Sequence, residues 1–335
     1  MTQGRLAETL DAYQQSLAIR QILVGQDKSN TGLQRDLSVS YNNVGEVLAA
    51  QGKLVEGLDA YQQGLAIAKR LAEQDKSNSG WQRDLSVSYN NVGKVLVAQG
   101  KLPEALNAYQ QSLAIRQILV GQDKSNSGWQ RDLSVSYNNV GEMLVAQGKL
   151  AEGLDAYQQS LAIAKRLAEQ DKSNSGWRRD LSVSYNNVGK VLVAQGKLPE
   201  ALDAYQESLA IRQILAEQNK TNPDWQRDLS FSYDNVGDVL VKQGKLGEAL
   251  DAYQQSLAIR QILAEQDKSN PDSQRALILS LYQVGATAAT IGGNDNVARA
   301  QEFLRTAMGL ALMYSGRDRE QLINALSQTL QNLAH

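Results

Sequence analysis

Two adjacent carboxamides recur at a fixed step of 48 residues. SYNNVG stands at 40–45, 88–93, 136–141 and 184–189, and SYDNVG at 232–237. The pairs are Asn42 and Asn43, Asn90 and Asn91, Asn138 and Asn139, and Asn186 and Asn187, with Asp234 and Asn235 last. A carboxamide both donates and accepts hydrogen bonds. That chemistry suits a peptide bond regardless of the side chains it joins, and equally a hydrogen bond to a neighbouring helix. Three residues after each second asparagine the charge alternates in sign: Glu46, Lys94, Glu142, Lys190, Asp238. Pairing between neighbours would contribute only about 0–1 kcal/mol per exposed pair. The alternation also argues against a strongly acidic or basic ligand along the whole row.

Other chemistries lack their residues. The chain of 335 residues has no cysteine and one histidine, His335, which excludes thiolate nucleophiles, disulfides and a His or Cys metal cluster. No Gly-rich phosphate loop, metal spacing or nucleophile–base pair occurs, so neither catalytic residues, a metal nor a cofactor is expected. The 34 Lys and Arg nearly balance 36 Asp and Glu, leaving no basic field for nucleic acid or anionic lipid. The N-terminus, MTQGRLAETL, has no apolar core of a secretion signal, and no long apolar run suggests a membrane span. The expectation is a cytoplasmic, non-enzymatic protein.

The period itself must position the carboxamides. Tyr13, Tyr61, Tyr109, Tyr157, Tyr205 and Tyr253 keep the 48-residue step, as do Trp81, Trp129, Trp177 and Trp225. Trp81, Leu85, Tyr89, Val92 and Leu96 follow one another at steps of three or four, one face of a helix, here helix A. Arg83, Val87, Asn90, Asn91, Lys94 and Val97 fall on the opposite side. Gly100 in AQGK marks a left-handed stop, and KLPEAL restarts a helix with Pro103 in its first turn and Glu104 at the positive dipole end. Helix B carries a wider apolar side, with Leu106, Tyr109 and Leu113 flanked by Ala105 and Ile115, and runs to about Gln122. The turn formers DKSNSG, or NKTNPD with Asn222 as N-cap and Pro223 at N1, link each B to the next A.

Tyr89, Val92, Gly93, Gly100, Ala105, Tyr109, Ser112 and Leu113, recurring along almost the whole chain, resemble the tetratricopeptide repeat family. The family's unit is about 34 residues, so each block carries about 14 more, enough to lengthen each helix by roughly 10 Å. Such extended units are similar to those of the kinesin light chain group. The resemblance implies an all-α, right-handed superhelical solenoid of antiparallel helix pairs. Residues 3–32 would form an unpaired helix B, 33–272 five regular repeats, 273–315 a divergent pair and 316–335 a capping helix with Leu322, Leu326, Leu330 and Leu333 on one stripe. Gly93 would let helices A and B approach, and Trp81 would pack on the preceding helix B.

In proteins of this kind, including the superhelix of O-GlcNAc transferase, A helices line a concave groove whose asparagines hold the backbone of an extended peptide. Carried over, the ladder is Asn43, Asn91, Asn139, Asn187 and Asn235, with Asn42, Asn90, Asn138 and Asn186 and the charges Glu46, Lys94, Glu142 and Lys190 beside it. The rival reading has these asparagines hydrogen-bonding a neighbouring helix. A clamp for peptide carboxylates would need clustered cations, whereas Arg83 stands beside Asp84 in an RD pair that recurs in every block and is partly neutralised.

Helix B alternates between AIRQIL and AIAKRL, so the true repeat is 96 residues. Residues 37–84 differ from 133–180 at five positions, and 85–132 from 181–228 at eight. Recent duplication and constraint on every surface are both open as causes. A groove that repeats itself reads a unique sequence poorly and suits a ligand held by its backbone or a repetitive partner. The chain starts with the turn and helix B of a block that lacks its helix A, so Leu10, Tyr13 and Leu17 are expected to be partly exposed. That edge would mark a piece of a longer chain, with an effector domain upstream, or a surface covered by another molecule. The two functions in view are a non-catalytic protein- or peptide-binding scaffold, as the sensor or interaction segment of a larger signalling protein, and a self-assembling repeat protein docking as a homo-oligomer through the N-terminal edge.

Overall fold

A computed structural model describes residues 3–333; the terminal His335 lies outside them. Among the described residues the chain is all α, with fourteen helices in two compact units, Met1–Gln170 and Asp171–His335. The first unit holds α1 (Gln3–Gln26), α2 (Thr31–Ala50), α3 (Leu54–Gln74), α4 (Ser79–Ala98), α5 (Leu102–Gln122), α6 (Ser127–Ala146) and α7 (Leu150–Gln170). The second holds α8 (Ser175–Ala194), α9 (Leu198–Gln218), α10 (Pro223–Lys242), α11 (Leu246–Gln266), α12 (Pro271–Ile291), α13 (Asn294–Met313) and α14 (Arg319–Asn332). From α2 to α13 even-numbered helices are A and odd-numbered ones B. Within each unit every helix packs on the one before and the one after it, and α14 closes on α13.

The boundaries follow from side chains the period repeats. Each A helix starts at an asparagine N-cap: Asn78 Oδ1 accepts from the Trp81 N–H at 3.1 Å, and Asn126 from that of Trp129 at 3.0 Å. One turn earlier, Asp75 Oδ1 accepts from both the amide and the hydroxyl of Ser77, which folds DKSN into a tight connection. Each A helix ends where glycine supplies the left-handed residue; Gly100 has φ 75°, and the Lys101 N–H reaches back to the Leu96 carbonyl at 2.9 Å.

Packing explains the invariant spacing of tyrosine and glycine. A Cβ on Gly93 would lie 2.6 Å from Tyr109 Cε1, so only glycine lets the tyrosine of the partner helix lie flat on α4. Tyr109, Val92, Leu96, Val140, Met143 and Leu144 join in one core, which ties helix B to its own A and to the next. Trp81 packs with Ala68 and Ala72 of the preceding helix B, as its place in the lengthened helix predicts.

At α1 the outcome differs from the sequence expectation in one residue. Leu10 is 7% exposed, because α1 packs on α2 through Val44, Val47 and Leu48, and Leu17 lies half-buried against the same cluster. Tyr13 is the exposed member, at 36% against 5% for Tyr109, since no A helix covers its outer side.

Candidate functional site

The exposed side of the A helices carries a row of ion pairs that runs between repeats. Arg35 Nε meets Asp84 at 2.5 Å and Arg83 Nε meets Asp132 at 2.7 Å in the first unit; Arg179 Nε meets Asp228 at 2.8 Å in the second. Each arginine therefore pairs with the aspartate of the following block rather than with its sequence neighbour. The hydrogen bond to that carboxylate raises the arginine pKa. Half-exposed pairs contribute little to stability. Their effect is to spend Arg35, Arg83 and Arg179 on carboxylates, so these three are unsuited to gripping a ligand carboxylate as a cluster.

The asparagines divide into two groups. Asn139 Nδ2 donates to Asn90 Oδ1 at 2.6 Å, and Asn235 Nδ2 to Asn186 Oδ1 at 2.6 Å. Asn90 is only 7% exposed. These four carboxamides stitch neighbouring A helices together, the arrangement that the rival sequence reading describes. The arrangement differs between α2 and α4. There Asn42 Nδ2 reaches Ser88 Oγ at 3.4 Å, and Asn43 and Asn91 are half-buried without a hydrogen-bond partner among the described residues. All three line a cavity of about 280 Å³ with Arg35, Val39, Glu46, Ala68, Trp81 and Val87 among its walls. Asn187 is half-buried on α8 and likewise makes no hydrogen bond, while Asn138 keeps a buried Oδ1 with no partner.

The sign-alternating residues do not pair with one another. Glu46 and Lys94 form no ion pair, nor do Lys94 and Glu142, nor Lys190 and Asp238; all five are exposed. The carboxylates instead lie near tyrosines of the B helices. Burial, and then the charge of Glu46, pushes Tyr61 up to about 12; burial with Glu142 does the same to Tyr109 and Tyr157. Tyr253 donates its hydroxyl to Asp238 at 2.6 Å.

A set of buried arginines has no counterpart among the sequence expectations. Arg116, Arg212 and Arg260 are 5–7% exposed although they sit in the middle of B helices. Arg116 donates to Ser86 Oγ at 3.2 Å, the Asp132 carbonyl at 2.6 Å and Ser136 Oγ at 2.9 Å, bridging α4 and α6 from below. Burial lowers its pKa, while Asp132 opposes that shift. Arg260 makes the same contacts and adds an ion pair with the buried Asp234. It also lies 5.2 Å from the Phe231 ring centroid. The available signal was the AIR/AIA alternation. Between B helices, a larger and mainly apolar cavity of about 670 Å³ lies in the second unit, lined by Ile214, Tyr233, Ile259 and Ile262. Tyr89, Ile115 and Ile118 line its smaller counterpart in the first.

The fold and this face define a repeat protein of helix hairpins. The tetratricopeptide repeat family pattern matches residues 36–118, 132–214 and 180–262, well over half of the chain, and the chain belongs to that family. Among solved structures, BtubC (BKLC) from P. vanneervenii is similar at 20% identity and TM-score 0.61, covering 77% of this chain and 92% of its own. The apo form of RapI is similar at 12% identity and TM-score 0.64, covering 98% of this chain and 85% of its own. Nearly identical TPR-like repeats from Podosopora anserina, described as a kinesin light chain, align at 16% identity and TM-score 0.51 over 69% of this chain and 96% of theirs. At these identities the likeness concerns the fold. No curated protein sequence matches significantly. Among the described residues no group of three or more His, Cys, Asp or Glu could hold a metal ion, and no helix is long and apolar enough to cross a membrane.

Proposed function

We propose that the chain is a non-catalytic protein-binding scaffold whose A-helix faces hold an extended peptide by its backbone. The observation that carries this reading is the pair Asn43 and Asn91. Both carboxamides line one cavity on the A-helix side, and neither is spent on another protein group. A free carboxamide can donate to a peptide carbonyl and accept from a peptide N–H at once. The test is capture from an array of extended peptides by the wild-type chain and by N43A/N91A. The double variant loses capture and keeps its melting temperature, whereas N139A, which cuts the Asn90 stitch, affects stability instead. Capture by N43A/N91A equal to wild type contradicts the reading.

A second reading, self-assembly through α1, has one observation in its favour. Tyr13 and Leu23 are 36% and 38% exposed, whereas their equivalents Tyr109 and Leu119 are 5% and 1% exposed. Light scattering across a dilution series separates the two. A mass that grows with concentration in wild type and not in Y13E supports assembly; a constant mass near 36.7 kDa rules it out.

A further inference from the structure

Four arginines occupy the same place in the period, and each brings its guanidinium to one set of acceptors. Arg20 donates to the Asp36 carbonyl and to Ser40 Oγ; Arg116 to Ser86 Oγ, the Asp132 carbonyl and Ser136 Oγ; Arg212 to Ser182 Oγ, the Asp228 carbonyl and Ser232 Oγ. Arg260 adds the carboxylate of Asp234 to Ser230 Oγ, the Ala276 carbonyl and Ser280 Oγ. Between α2 and α4 the same position is Ala68. The acceptors are nevertheless all present: Ser38 Oγ, the Asp84 carbonyl and Ser88 Oγ, the last taking only the long 3.4 Å bond from Asn42 Nδ2, with the two serines 4% and 0% exposed. Asn42 takes the place of Asp234, and its Oδ1 is buried with no partner. Nearby, Gly64 replaces the serine found at Ser112, Ser160, Ser208 and Ser256, and a Cβ there would lie 2.9 Å from Asn42 Oδ1. Two replacements thus remove a guanidinium and a hydroxyl from around one acceptor cluster, and the cavity of about 280 Å³ lies over Ala68 and Leu71.

We propose that this cavity is a side-chain pocket for an arginine of the bound peptide, whose guanidinium enters from the A-helix face and takes the acceptors that Arg116 and Arg260 satisfy from within at other junctions. The proposal rests on the peptide-holding function above and adds its specificity. Three further observations favour it. The volume falls just under the roughly 300–1,000 Å³ of small-molecule pockets, a size suited to one side chain. Glu46 and Asp84 line the cavity against a single cation, Arg35, so the site is acidic on balance. The Arg83–Asp132 pair coexists with Arg116 at its junction, so the equivalent Arg35–Asp84 pair leaves room for a second guanidinium. A planar fork of five donors matches acceptors on two helices, whereas a lysine ammonium is a single point of charge. The equivalent cavity between α10 and α12, about 440 Å³, has Arg260 among its lining residues. The A-helix face therefore offers a cation acceptor at the α2–α4 junction and a resident cation at the α10–α12 junction.

Two measurements test this. The first needs no ligand: A68R supplies the guanidinium from within, whereas A68M fills the same space without donors. A68R raises the melting temperature by about 2–4 °C and A68M does not; equal shifts overturn the acceptor set. The second titrates peptides from the array against their Arg→Lys and Arg→Ala versions. The arginine peptide binds wild type about tenfold more tightly, as charge-assisted hydrogen bonds at a buried site predict, and A68R abolishes the preference without abolishing binding. Peptide binding that is indifferent to arginine overturns the pocket and leaves the backbone ladder standing. Binding of no peptide at all by wild type overturns both. N-acetyl-arginine methylamide serves as the free-guanidinium arm: binding as tight as that of the arginine peptide assigns the pocket to a small ligand and overturns its role in peptide specificity.

Discussion

Replacing Arg116 with methionine tests how the buried arginines hold the A helices together. The guanidinium is 5% exposed and makes three hydrogen bonds, to Ser86 Oγ, the Asp132 carbonyl and Ser136 Oγ. Hydrogen bonds to a charged group contribute about 1.5–3 kcal/mol each, so three give about 5–9 kcal/mol. Desolvating the cation costs several kcal/mol, which R116M recovers. The methionine also keeps most of the packing volume. The balance predicts a loss of about 1–3 kcal/mol. R260M removes the same bonds and also leaves Asp234, 9% exposed, as an unpaired buried carboxylate. Breaking one side of such a pair costs about 3–5 kcal/mol, so R260M must be the more damaging change. Burial already pushes the Asp234 carboxyl up and Arg260 holds it down. Without Arg260 the downward influence shrinks to the Ser256 hydroxyl against burial and the charge of Asp238, the folded state favours the protonated acid more strongly, and R260M regains stability as the pH falls through the raised folded pKa. R116M, with no such group, does not. Urea midpoints followed by circular dichroism at neutral and mildly acid pH read both effects. Equal losses for the two variants, or no acid recovery in R260M, would refute the reasoning.

Two further predictions concern the core. G93A forces a methyl to 2.6 Å from Tyr109 and loses about 1–3 kcal/mol, whereas G121A, with nothing within 4 Å and a helical backbone, gains about 0.4–1 kcal/mol; thermal unfolding of both checks the signs. Tyr61, Tyr109, Tyr157 and Tyr205 are pushed up to about 12 by burial first and a nearby carboxylate second. A raised folded-state pKa means the stabilisation is complete below the ordinary value near 10 and disappears as the pH climbs from 10 to 12, by about 2–3 kcal/mol for each tyrosine. Spectrophotometric titration of phenolate should coincide with unfolding in that window; tyrosines that ionise near pH 10 with the helices intact would contradict it.

Much of the architecture was legible because its determinants are local and periodic. The step of three and four from Trp81 to Leu96 locates the A helix, Gly100 its end, and Asn222 before Pro223 the start of α10, and each depends on residues within one turn. The tyrosine–glycine contact was legible because both members recur at a constant spacing. The candidate site was less so, because its contacts cross between repeats. Arg83 and Asp84 are adjacent in sequence, yet Arg83 pairs with Asp132, since neighbouring residues on a helix point apart while equivalent positions on stacked helices align. The double asparagine looks the same in four blocks, but whether its carboxamides are free depends on what the flanking B helix places beneath them. Arg116 in AIRQIL looks like an ordinary solvated helix residue until its direction is known, and the alanine of AIAKRL acquires meaning only beside it.

We propose that Asn43 and Asn91 on the A-helix face hold a peptide. The direct measurement is to follow the side-chain carboxamide resonances of the two asparagines by NMR while titrating the tightest extended peptide from the array. The account predicts saturable shifts of both carboxamides, with the Asn90–Asn139 pair comparatively unmoved. Shifts confined to the cavity lined by Tyr89, Ile115 and Ile118, with Asn43 and Asn91 unmoved, would contradict it.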